Sequence, residues 1–465
     1  MSVLPDLFRI PGAECLPDQT PVASNMIPTG GLNDSLLILA NLTSTKGTGA
    51  RLRGSASATN LQLYVRGMMH LENSLHHYGL VRMLAWLPDD EKLAYLPRTI
   101  TDRRKFSLKM DLAAHVNEVA GGLVEPGPRR PTQRQHDLAI ESEQRLAQRV
   151  KHSGVWDPET RRPPATAPPW YEIGLGTDAI EQLRRLPQKL PWQVELLALE
   201  DAWCKREKEV QRTLAKASES LRGQRDKPPE NLGILRTKFL TTRKATVVAQ
   251  EWGKRQSELD RRDVALHRAG QIPSRVAAQK EEIQREAATL HAEMEEGRRD
   301  LAELAKRYID DRRGFEQNPS LLQWDRRPAE PLVVTDDEFY PPKKMALLDL
   351  TPNPGGLQKL DDFDKRTCFR YLCSALWRRP AQSVLNDLPT VVQGGLDEFC
   401  ERVPDLRNLL KGGNPNLDDL RVRTMSPELL VQLVLALETW PFRLPTHEMI
   451  MNEGGRNVSQ HKKGA

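Results

Sequence analysis

Apolar and polar positions change period several times along the chain, and each change marks an element. Residues 35–43 are a compact apolar run of strand length. Residues 60–77 place Leu61, Tyr64, Val65, Met68, Met69 and Leu71 on one helical face, and Gly79 provides the stop. A second apolar strand is predicted over 80–87, stopped by Pro88, followed by a short helix over 89–96. Residues 101–122 carry a cluster of cations, Arg103, Arg104, Lys105 and Lys109. Far along the chain, Pro341 and Pro342 rigidify an extended approach to a second apolar run, Met345–Leu348 with Leu350. Pro352, Pro354, Gly355 and Gly356 end that run, which reads as a buried strand. Directly behind it, Phe369, Leu372, Cys373 and Leu376 recur at helical spacing, with Arg366, Arg370, Arg378 and Arg379 crowded around them.

Between these parts the pattern weakens. The tract RRPPATAPPW, 161–170, reads as an extended linker. From 178 to about 313 the chain is helical in period and densely charged, with opposite charges at i,i+4 over 276–313. A long solvated helix or short coiled coil is expected there, and nothing in it needs a catalytic role. The expected organisation is an irregular lead over 1–34, an α/β domain from 35–124 and 321–355, and a Pro/Arg-rich linker over 125–177. A charged helical insertion over 178–320, a C-terminal helical domain over 356–445 and a flexible tail over 446–465 complete it.

Composition sharpens this in three places. Hydrophobic residues make up 38% of the 465 and charged residues 28%, enough for a core but not one that includes every segment. The net charge of +5 permits nucleic-acid binding without demanding it, so local clustering matters more. The five cysteines, Cys15, Cys204, Cys368, Cys373 and Cys400, form no C-x-x-C pair, which argues against zinc and fits a reducing compartment. No apolar run approaches the roughly 20 residues that cross a bilayer. The first twenty residues hold three prolines and three acids, unlike an Arg-rich amphipathic presequence, so a mitochondrial import signal would have to be internal or absent.

Several stretches occur in an order that resembles one family. Phe339-x-Pro341-Pro342-Lys343 leads into an apolar strand ending at Pro352, then a helix with Trp377, Arg378 and Arg379, then Ser383-x-x-Asn386. LLILANLT at 36–43, YGLVRMLAWLP at 78–88 and PELLVQLVLALETWPF at 427–442 complete the series. Together they resemble the ribosomal-RNA adenine N6-dimethyltransferases, and within them the branch recruited as mitochondrial transcription factor B. The likeness covers residues 35–120 and 322–445. It implies an α/β fold, a partial class I methyltransferase (Rossmann-like) sheet lacking its N-terminal cofactor half. Residues 35–43, 80–87 and 344–351 should then be hydrogen-bonded neighbours in that sheet. It also implies a mitochondrial matrix protein that joins the mitochondrial RNA polymerase and binds promoter DNA or rRNA, with no membrane and no metal. The alternative it carries is an enzyme that uses S-adenosylmethionine.

The chemistry separates these readings. A class I methyltransferase holds S-adenosylmethionine on a glycine-rich turn after its first strand. Too few residues precede 35–43 for the strand–helix units that would supply it, so no cofactor is expected in this chain. WYEIGLGT at 170–177 is a partial lookalike, but it follows PPATAPP, which cannot be a central strand, and a helix start at Asp178 accounts for it. The resemblance makes Asn41 the residue that would bond a flipped adenine. Here it is followed by Leu42, Thr43 and Ser44 instead of Pro and an aromatic, so a structural Asn at a strand end competes with that role. The basic groups Arg103, Arg104 and Lys105; Lys343 and Lys344; and Arg366, Arg370, Arg378 and Arg379 are candidate phosphate contacts. Trp377 is a candidate stacking platform, weighed against a place in the core. Adjacent His76 and His77 point apart on a helix and make a poor metal pair, and no nucleophile elbow accompanies a serine. No catalytic residue is assigned.

Overall fold

The structure is a computed structural model. It describes residues 32–43, 56–70, 76, 78–123, 134–154, 158–166, 169–172, 179–186, 190–216, 229–268 and 273–453. The strands are β1 (Leu32–Asn41), β2 (Leu80–Pro88), β3 (Ala114–Gly121), β4 (Leu332–Val333) and β5 (Met345–Pro352). The helices run from α1 (Ala56–His70) through α2 (Lys92–Tyr95), α3 (Lys105–Ala113), α4 (His136–Ser153), α5 (Ala179–Arg185), α6 (Pro191–Lys216), α7 (Glu230–Arg268) and α8 (Pro273–Glu296). They continue with α9 (Arg299–Glu316), α10 (Pro354–Gln358), α11 (Phe363–Leu376), α12 (Val384–Asp387), α13 (Leu396–Glu401), α14 (Pro427–Glu438) and α15 (Thr446–Glu453).

The chain divides into two units. The first comprises Met1–Leu123, Ser142–Pro163 and Asp310–Ala465; the second comprises Val124–Glu141 and Pro164–Ile309. The first is α/β, with an open mixed sheet in the order β1-β2-β5-β3-β4. β1 and β2 are parallel, with Ile38 opposite Met83 and Asn41 opposite Trp86. β5 runs against both β2 and β3, pairing Leu348 with Ala85 on one side and Leu350 with Val116 on the other. The stretches 35–43, 80–87 and 344–351 are thus consecutive neighbours.

Burial follows position in the sheet. β5 is buried along most of its length, while β2 buries Val81, Met83, Ala85 and Leu87 on one face and leaves Arg82 exposed and Leu84 and Trp86 half-buried on the other. β1 is the edge, and Leu37 and Leu39 on one of its faces stay 51% and 74% exposed. On the covered side, the face of α1 predicted from spacing packs inward, with Leu61, Tyr64, Val65 and Met68 all buried. Leu71 lies outside the described residues. The C-terminal helices are not a separate domain: Phe369, Leu372 and Leu376 of α11 and Leu430, Leu433 and Val434 of α14 join the same apolar cluster as Leu80, Leu348 and Leu350.

β3 follows α3 directly, as Ala114 turns from helical to extended geometry within one residue. Three boundaries differ from expectation. The chain expected as linker over 125–177 contains the 18-residue helix α4. The charged stretch 276–313 is broken at Gly297 into α8 and α9, and its residues from Asp310 belong to the sheet unit, so that unit resumes before 321. The expected loose tail begins with helix α15, where Met449 is fully buried; residues beyond 453 lie outside the described set. The second unit is helical, built on one cluster around Trp170, Leu183, Leu196 and Phe239 and another around Trp252, Leu290 and Tyr308.

Candidate nucleic-acid interface

Two surfaces of the sheet unit hold the residues singled out above. The first is the end of the sheet where the parallel strands β1 and β2 finish, the end at which open α/β sheets carry ligands. Asn41 and Trp86 are registered there, and reversed β5 starts at the same end, so 339–344 converge on it. The Phe339 ring meets the Trp86 ring edge-on, with centroids 5.3 Å apart. Tyr340 is 100% exposed. Lys343 and Lys344 are exposed beside it. The sequence pointed to the prolines and lysines of this stretch; the aromatic group appears only when Phe339 folds onto β2.

Asn41 has a local role. Its Oδ1 accepts the Thr43 backbone N–H at 3.1 Å and the Thr43 hydroxyl at 2.5 Å, closing an Asx turn at the strand end. The structural reading of this residue therefore holds in this conformation. The lysines do not sit in a positive field either. Asp336 accepts the Lys343 backbone N–H through its carbonyl, Asp89 donates its own N–H to the Lys344 carbonyl, and Asp337, Glu338 and Asp90 lie in the same segments. Glu338 is ionised far down the pH scale. A hydrogen bond from Arg161 and one from the Thr335 N–H hold its carboxyl down at about 2.

The second surface lies where α3 begins and α11 passes. Lys105 reaches the Ser374 hydroxyl, which joins two clusters far apart in sequence. Arg370 sits one helical turn before Ser374, and Arg378 lies just past the end of α11. Arg104 and Arg378 are exposed, while Lys105 and Arg370 are half-buried.

Four of the expected contacts are spent elsewhere. Arg103 is 1% exposed; its guanidinium donates to the Arg423 and Met425 carbonyls at 3.1 and 2.6 Å and pairs with buried Asp111 at 3.4 Å. It ties the start of α3 to the segment before α14 and cannot reach phosphate. Trp377 is packed against the core with that guanidinium 5.6 Å from its ring, and its indole N–H is buried, so the ring is not an open stacking platform. Arg366 donates to the Leu360 and Asp361 carbonyls at 2.9 and 2.8 Å, closing the loop before α11. Arg379 holds Asp387 at 2.6 Å. Sequence clustering does not distinguish a cation that ties two segments together from one facing water.

One further cluster has the look of a site and is structural. Lys92, 1% exposed, donates to Glu118 at 2.7 Å and the Gly122 carbonyl at 2.7 Å and pairs with Asp89 at 2.6 Å. All three of its protons are occupied, so it has none to give a substrate. Among the described residues no group of three or more His, Cys, Asp or Glu is arranged to hold a metal, and no helix is long and apolar enough to cross a membrane. His77 lies outside the described residues; buried His76 is bonded to backbone.

Gly121 and Gly122 close β3, and Gly355 and Gly356 stand in α10 after β5, while the glycine-bearing stretch 44–55 that follows β1 lies outside the described residues. Trp170 and Tyr171 of the lookalike turn are buried in the helical unit against Leu183 and Phe239, and 173–178 lie outside the described residues.

Comparison of the chain with family models, with curated proteins and with solved structures finds no match.

Proposed function

We propose that the protein is a nucleic-acid-binding factor built on a methyltransferase-like half-sheet, of the mitochondrial transcription factor B kind. In this reading it works in the mitochondrial matrix with the mitochondrial RNA polymerase, helping to recognise and melt promoter DNA. One observation carries it: the three stretches that bear the family resemblance are consecutive strands of one sheet, although about 260 residues separate the second from the third. The cationic surface around Arg104, Lys105, Arg370 and Arg378 holds the backbone of an opened strand. The exposed Tyr340, next to Phe339 on Trp86, offers an unpaired base a ring to stack on.

The test is binding to a fluorescent single-stranded DNA across a salt series, alongside run-off transcription with the mitochondrial polymerase. Each lost phosphate contact lowers the log–log salt slope by about 0.7 on a single strand, so Arg104→Glu with Arg378→Glu flattens it by about 1.4. Salt-independent binding, or a slope that the double variant leaves unchanged, rejects the reading.

A second reading, an S-adenosylmethionine-dependent rRNA adenine N6-dimethyltransferase, draws on the edge strand. Parallel strands are normally covered on both faces, and β1 leaves Leu37 and Leu39 open with nothing paired to its outer edge among the described residues. Further strands fit there. Calorimetry with S-adenosylmethionine separates the two: saturable heat with methyl transfer to small-subunit rRNA supports the enzyme, and its absence supports the factor.

A further inference from the structure

Tyr340 has no packing of its own, since its ring is 100% exposed. Where the ring stands is therefore set by the loop that carries it. That loop, 336–343, is closed across its base by the Asp336 carbonyl, which accepts the Phe339 N–H at 3.4 Å and the Lys343 N–H at 3.2 Å. Both bonds lie at the long end of the range, and Pro341 and Pro342 have no N–H to add another. One side of the loop is held by Phe339, edge-on to Trp86. The other side is held from outside the loop.

That hold centres on a single carboxylate oxygen. Glu338 Oε1 accepts the Thr335 N–H at 3.0 Å, the Thr335 hydroxyl at 3.1 Å and an Arg161 Nη1 proton at 2.5 Å. The first two belong to a capping box around the turn Asp336–Glu338, immediately before Phe339. The third comes from a residue 177 positions away in sequence. The same Nη1 donates to the Val333 carbonyl at 3.1 Å, at the end of β4, and β4 pairs with β3. One guanidinium nitrogen thus joins the sheet to the turn that precedes the two rings.

Arg161 is itself fixed. It ends the short turn Glu159–Arg161, its N–H bonds the Pro158 carbonyl at 3.0 Å, and Pro163 and Pro164 follow. Sequence spacing assigns it to a linker and gives no reason to single it out. An exposed ion pair of this kind adds little to global stability. Its task is local. It removes freedom from the loop that presents the Tyr340 ring, and order already in place before binding is not lost from the affinity.

We infer that Arg161 is a positioning residue for the Tyr340 ring: through Glu338 it fixes the turn 335–338 against β4, and so pre-orders the loop that offers the ring to an unpaired base. The inference rests on the nucleic-acid-binding reading of the sheet unit and names what holds its stacking group ready.

The test uses the full chain, a fluorescent single-stranded DNA and hydrogen exchange of peptide 334–345. Arg161→Ala should weaken DNA binding about three- to tenfold, because the loop must then be ordered at the moment of binding. Glu338→Ala should weaken it as well, although removing a carboxylate by itself favours an anionic ligand. In a Tyr340→Ala background, Arg161→Ala should change affinity by less than about twofold, because the ring it positions is gone. Both single variants should speed exchange in 334–345 and leave peptide 80–88 unchanged. The two side chains are 43% and 34% exposed, so circular dichroism of the variants should match the parent. Unchanged exchange, tighter binding by Glu338→Ala, or an equal loss from Arg161→Ala with and without Tyr340 overturns the inference, the last by making Arg161 a phosphate contact. DNA binding by the parent that both single variants leave intact overturns the inference alone, whereas a parent that binds no DNA overturns the nucleic-acid reading and the inference together.

Discussion

Lowering the pH should unlock the sheet unit at one histidine. His76 lies in the turn between α1 and β2, 2% exposed, with its ring 4.9 Å from that of Tyr64. Its Nδ1 accepts the Val81 N–H at 3.2 Å, and its Nε2 lies 3.3 Å from the Tyr64 carbonyl. Only a neutral ring with its proton on Nε2 satisfies both neighbours. Burial lowers the pKa from its ordinary 6.5 to about 4. Between those two values the unfolded chain binds a proton that the folded chain refuses. Stability therefore rises with pH across the window, is fully present above about 6.5, and is lost as pH falls toward 4. At about 1.4 kcal/mol per pH unit the gap amounts to about 3 kcal/mol. Urea unfolding at pH 7 and at pH 4, read through hydrogen-exchange protection of peptide 80–88, gives the measurement. Other groups titrate too, so the comparison is with His76→Gln, which cannot charge. The parent should lose about 3 kcal/mol more than the variant on acidification. Parallel losses in both proteins would refute the argument.

Three more outcomes follow from the packing and the candidate interface. Asp310 is fully buried between Arg421 at 2.5 Å and Arg423 at 2.6 Å. Burial opposes its charge, but the two guanidiniums outweigh it and hold its pKa below the ordinary 3.8. Asp310→Asn strands both cations and should cost about 3–5 kcal/mol in urea unfolding. Gly356→Ala drives a Cβ into the Leu112 carbonyl oxygen, backbone that cannot swing aside, and should lower stability by about 1–3 kcal/mol, seen as a shifted midpoint. Tyr340→Ala, at a fully exposed ring, should leave the unfolding midpoint unchanged but weaken single-stranded DNA binding by about 1–3 kcal/mol; unchanged affinity removes the stacking role.

Local pattern alone was enough to locate β2, β5, α1 and the apolar face of α11, because each is an apolar run or stripe bounded by glycine or proline. It was not enough for β3. There the inward position between Val116 and Ala120 is Glu118, whose carboxylate is neutralised by Lys92 and Arg98, residues outside that segment. A strand whose inner face depends on distant partners shows no alternation to a reader of its own residues. The same limit explains the basic clusters. Arg103 and Arg104 are neighbours in sequence, yet one bonds carbonyls more than 300 residues away and the other meets water. Composition counts charges, whereas burial and partners decide which of them a ligand can reach, and those depend on which segments the fold brings together. The aromatic group of Trp86, Phe339 and Tyr340 and the joining of Lys105 to Ser374 were likewise settled by tertiary structure. Each depends on what packs, or does not pack, on the far side of a residue.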